Sequence, residues 1–166
     1  MSTSFQEFLR QKAEGTDSRD RNRLRAEWLG ALNRLLDLIR DWLREADPDD
    51  LLEVVPYEVQ RVEDRLGVYD APAMKIRLGP DGVDIVPVGR FSLGPVSVKA
   101  LFNLPVSRDK SDPIWGRVDI TNGERKYLLL RFIDAGQDQW WMVDEQSRTD
   151  LLDQQHLETI LRDLLS

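Results

Sequence analysis

Cysteine is absent from the 166 residues, which excludes disulfides and thiolate metal sites. Histidine occurs once, at His156, so a zinc site with paired histidines has no donors, and a Ser-His-Asp triad would have to form around that single side chain. No apolar run approaches the roughly 20 residues that cross a bilayer. The opening MSTSFQEFLRQKAEGTDSRDR is charged throughout and lacks the apolar core of a signal peptide. A cytoplasmic protein with no membrane contact is the expectation. Phosphate loops, dinucleotide glycine fingerprints and nucleophile elbows are also missing, as are internal repeats and low-complexity tracts. Such motifs are contiguous and hard to overlook, so the reading leans away from an enzyme and expects no cofactor and no metal.

What is present in quantity is acid. Thirty Asp and Glu face 23 Lys and Arg, for a net charge of −7 and a pI near 4.8. Nucleic-acid binding rests on neutralising phosphates, so this balance argues against it. The one basic run, Arg19 to Arg25, splits on a helix into the pairs Arg19/Arg23 and Arg21/Arg25 on well-separated sides. A solvated helix start fits it better than a phosphate site.

In chain order, residues 1–16 read as an arm or short amphipathic helix bearing Phe5, Phe8 and Leu9 and ended at Gly15, followed by one domain over 17–166. Asp17 is placed to cap a long helix that Asp47-Pro48 stops. Along it, Trp28, Leu32, Leu35, Ile39 and Trp42 belong to an apolar arc of about 180°, wider than the ~100° of an ordinary surface helix. The arc is either a core face or an interface with a second copy of the chain. Residues 53–62 are expected as a strand, although Val59, Val62 and Leu66 also have helical spacing. Alternation from Met74 to Leu78 and Val83 to Val88 flanks Gly79-Pro80-Asp81-Gly82 as a hairpin. Val96–Phe102 is expected as a short strand and 105–113 as a polar loop. Asp153 caps a final helix whose buried face is Leu157, Ile160, Leu161 and Leu164. The order predicts an α+β fold, an antiparallel sheet of hairpins with a long N-terminal helix and a C-terminal helix packed on it.

Trp115 to Val143 is the most legible stretch, a three-stranded meander. Asn122-Gly123 supplies the pair of positive φ angles of a type I′ turn, which sets Asp119 opposite Lys126 and Arg117 opposite Leu128. A second turn around 135–138 sets Trp141 opposite Phe132, Trp140 opposite Ile133 and Met142 opposite Arg131. Both faces of the middle strand are then apolar, so both are expected to be covered.

Gly116-Arg117-Val118-Asp119, a turn and a second strand are similar in outline to the core of PD-(D/E)xK nucleases, in which an aspartate and an acidic-x-lysine hold a divalent ion. Here Leu128 to Phe132 occupy the place of the acidic-x-lysine, and an Asp119–Lys126 cross-strand pair is the simpler account. Arg131 interrupts the apolar face of Tyr127, Leu129, Ile133, Trp140 and Met142, and a buried guanidinium needs a partner. Stacking on Trp140 or a salt bridge to the long helix would supply one. Arg131, Trp140, Trp115 and Tyr127 are the candidate binding residues. The first functional expectation is a non-enzymatic module that binds an unidentified protein or itself. The alternative is a carrier of a small anionic or apolar ligand, and a nuclease-like domain is a distant third.

Overall fold

The computed structural model describes residues 2–105 and 114–166, with the backbone alone described for 2, 3 and 11–17. Helix α1 (Ser2–Ala46) opens the chain. Strands β1 (Glu53–Glu63), β2 (Gly67–Leu78) and β3 (Asp81–Gly89) follow, then helix α2 (Val98–Asn103). Strands β4 (Arg117–Thr121), β5 (Lys126–Asp134), β6 (Gln137–Val143) and β7 (Thr149–Leu151) lead to helix α3 (Gln154–Leu164). The seven strands form one antiparallel sheet in sequence order, a plain meander. This is the α+β arrangement that the sequence predicts.

Two element expectations are corrected. Val96–Phe102 is not a strand: Ser97 accepts the Ala100 N–H at 3.1 Å and caps α2, so the chain turns helical at Val98. Nor does α1 end at Gly15, because one continuous helix runs from Ser2 to Ala46. β7 had no sequence signal, being three residues whose strand character comes from pairing with β6 at Val143↔Thr149 and Trp141↔Leu151. Most of the expected polar loop, 106–113, lies outside the described residues.

The Trp115–Val143 meander keeps its faces but not its register. Asp119 lies opposite Leu128 and Arg117 opposite Leu130, two positions from the expected pairing. The reason is Asn122. Its Oδ1 accepts the N–H groups of Glu124 (3.0 Å) and Arg125 (2.8 Å), and its Nδ2 donates to Leu164 O at the end of α3. Asn122 therefore pairs with Arg125 through its own N–H, and Gly123, at φ 94°, begins the two-residue loop. The β5–β6 loop shifts likewise, because Ala135 (φ 50°) and Gly136 (φ 78°) supply the positive angles, which sets Trp140 opposite Arg131 and Trp141 opposite Leu130. A shift of two leaves every side chain on its original face.

Both faces are covered. Val118, Ile120, Leu129, Trp140 and Met142 join Trp28, Leu32, Leu35 and Ile39 of α1 and Leu157 and Ile160 of α3 in the main core. Leu130, Phe132 and Val143, on the opposite face, pack with Ala100 and Leu104 in a second cluster. Gly116 matters to the first: a Cβ there would lie 2.2 Å from the Trp28 ring, so only glycine lets β4 pass the helix.

Candidate functional site

Arg131 is the side chain that the sequence singles out, and its partners lie on two elements. Side chains alternate along β5, so Arg131 points with Leu129 toward α1. There Nη1 and Nη2 donate to the two Glu27 oxygens at 2.8 and 2.6 Å, while Nε donates to Asp138 Oδ1 at 2.8 Å. Arg34 closes the group with a 2.9 Å bond from Nε to Asp138 Oδ2. Burial works against the Arg131 charge, but the Glu27 and Asp138 bonds outweigh it and hold its pKa above the usual guanidinium value. These residues line an open cleft of about 560 Å³ with Ile133, Gly136 and Gln137. Arg131 is only 1% exposed and already satisfied by two carboxylates, so it offers an incoming anion no spare charge.

The other candidates scatter. Trp140 is buried against Trp28, ring centroids 6.4 Å apart. Tyr127 is half-buried and donates to Asp163 of α3 at 2.6 Å; burial first, and that bond second, push its pKa up to about 12. Trp115 is half-buried, 4.3 Å from the Arg90 guanidinium and 6.0 Å from that of Arg131. Of the arc on α1, Trp28, Leu32, Leu35 and Ile39 lie inside the protomer and Trp42 is half-buried at its edge. Of this arc, only the Trp42 edge is open to a partner. Asp119 does not face Lys126, which lies opposite Thr121. It forms a buried bidentate pair with Arg117 on its own strand, at 2.8 and 3.2 Å. Among the described residues no cluster of acidic or histidine side chains is suited to a metal ion. His156 sits in the first turn of α3, with Asp153 and Asp150 at 2.8 and 3.0 Å from its ring nitrogens.

Two groups went unseen in the sequence. Glu63, at the end of β1, is buried; it accepts from the Tyr69 hydroxyl and from the backbone N–H groups of Arg90 (3.1 Å), Phe91 (2.8 Å) and Ser92 (2.9 Å). Burial raises its pKa, but the Tyr69 and backbone bonds prevail, and the net shift is downward. Gly89 leaves the room this needs, since a Cβ there would approach Glu63 to 3.0 Å. The second is Arg90, 6% exposed, its guanidinium 4.3 Å from the rings of both Phe91 and Trp115. Arg65 lies 4.2 Å from the same Phe91 ring. The dipeptide Arg90-Phe91 beside a glycine was the only local hint. Trp115 and Glu63 reach it through the fold, 25 and 27 positions away.

Comparison with known proteins finds no family model, no curated protein and no solved structure that matches the chain.

Proposed function

We propose that the protein is a non-enzymatic, cytoplasmic protein-interaction module that pairs with a second copy of itself through the first half of α1. The carrying observation is that each described side chain from Ser4 to Arg23 is exposed, while the helix continues unbroken into the core. Phe5, Phe8 and Leu9 are 61, 54 and 50% exposed there, with the Phe5 and Phe8 rings stacked at 6.4 Å. A helix draws most of its stability from a packed face, and Gly15, Thr16, Asp17 and Ser18 are poor helix formers, so this arm needs a surface.

A second copy fits it in length and apolar placement. The exposed half, 2–23, and the packed half, 24–46, are each about 33 Å long at 1.5 Å per residue. An antiparallel pair lays residues 2–10 of each arm along 37–45 of the other copy. Leu9 and Leu38 are 29 positions apart, about eight turns at 3.6 residues each, so they share one side of the helix. Leu38 is 42% exposed and Trp42 beside it is half-buried, so the apolar start of one arm meets the exposed apolar side chains of the other copy. Among the described residues no helix is long and apolar enough to cross a membrane.

Sedimentation velocity at micromolar concentration tests the reading. The parent is expected at twice 19.2 kDa, and a Phe5→Ser/Phe8→Ser/Leu9→Ser variant at 19.2 kDa, still folded by circular dichroism. A parent that sediments as a monomer throughout, or a dimer that survives the triple change, refutes it.

A further inference from the structure

We infer that Arg90 and Arg65, set around Phe91 and Trp115, form a binding site for a single oxyanion, the carboxylate or phosphate group of a small molecule. Arg90 is nine-tenths buried, yet among the described residues no carboxylate pairs with it or with Arg65. The nearby acids are committed. Glu63 spends its oxygens on Tyr69 and the N–H groups of residues 90–92. Glu27 is bidentate on Arg131. A desolvated guanidinium in that position is costly, and contact with rings does not replace the in-plane acceptors that its N–H groups require.

The geometry says where such an acceptor enters. Phe91 and Trp115 each lie 4.3 Å from the Arg90 guanidinium carbon. The five N–H donors of a guanidinium lie in its plane, so an acceptor meets them at the edge of that plane. None of the Arg90 nitrogens is among the buried atoms sealed off without a partner, so the edge of the plane reaches solvent. Arg65, itself exposed, lies 4.2 Å from the same Phe91 ring and supplies a second positive charge. Burial, and then the nearby charge of Arg131, hold the Arg90 pKa below the usual guanidinium value, as expected for a cation without an anion. A guanidinium fork matches a planar carboxylate or a phosphate face in two parallel bonds, and aromatic walls keep water from competing. Arg25 adds to the local field; among the described residues its guanidinium is bound to the Leu66 carbonyl, at the turn that carries Arg65.

The test titrates the full chain with inorganic phosphate and, separately, with succinate, each against sodium chloride of equal ionic strength, following arginine Nε–H and tryptophan indole signals by NMR. Saturable shifts at Arg90 and Trp115 with one of the two anions, absent with chloride, are expected, and which anion saturates identifies the source. Arg65→Gln, at an exposed position, is expected to weaken that binding about tenfold without unfolding the protein, while Arg77→Gln leaves it unchanged. Arg90→Lys, which keeps the charge and loses the fork, should abolish saturation. The inference fails if neither anion gives saturable shifts, if chloride reproduces them, or if Arg65→Gln and Arg77→Gln behave alike.

Discussion

From Leu24 to Ala46, α1 turns Trp28, Leu32, Leu35 and Ile39 into the core, whereas from Ser4 to Arg23 each described side chain of the same helix faces solvent. The two halves share an axis and a backbone geometry but differ in what holds them. The packed half is fixed by burial, by the Glu27–Arg131 and Arg34–Asp138 bonds, and by Arg25 on Leu66 O. Among the described residues of the outer half are the rings of Phe5 and Phe8 against each other and the loose Arg23–Asp20 pair at 3.5 Å. Helical geometry alone therefore says little about where a segment's stability comes from. On the proposed pairing, the outer half draws it from the second copy.

That contrast can be broken in order of effect. Trp28→Ala empties a site with no exposure, between Gly116 and Trp140, and should cost about 3–5 kcal/mol in a chemical denaturation curve. A loss below about 1 kcal/mol would mean that the packed half is not packed. The Arg131 group gives an asymmetric pair of variants. Glu27→Gln with Asp138→Asn strands a guanidinium that is 1% exposed and should cost roughly 3 kcal/mol, whereas Arg131→Met leaves carboxylates that reach solvent and should cost less than half as much. Equal losses would contradict the account of Arg131 as the buried member.

Glu63 gives the body a pH dependence. Its folded pKa is depressed below the usual 4.5, so its stabilisation is fully present above that value and is lost as pH falls through the lower, folded pKa. The parent's melting temperature should drop more steeply below pH 4.5 than that of Glu63→Gln, and parallel profiles would remove the argument. The smallest effect belongs to the outer half. In the monomer at low concentration, Phe8→Ser should change stability by less than about 0.5 kcal/mol, the range of an exposed substitution.

Much of this was legible in the sequence because it is local. Alternation placed the strands of the meander, and parity carried the faces through a register error of two. The register itself was not legible, because Asn122 serves the end of α3 as well as its own loop, and a dipeptide cannot announce a partner 42 positions away. Arg131 stood out because it interrupts an apolar face. Glu63 and Arg90 did not, since each looks like a surface charge until the β1–β2 hairpin brings Glu63 to the loop after β3. The unbroken passage of α1 through Gly15 overrides the local propensity for a stop.

The central claim is the antiparallel pairing of α1, and the absence of cysteine from the chain makes disulfide trapping its most direct measurement. Positions 9 and 38 are about 43 Å apart along one helix, so a bond between them can only join two molecules. Oxidation of a Leu9→Cys/Leu38→Cys variant should give a covalent dimer linked 9 to 38 by peptide mapping, with neither single variant cross-linking. A double variant that stays monomeric, or a Leu9→Cys variant that links to its own copy, would contradict the pairing.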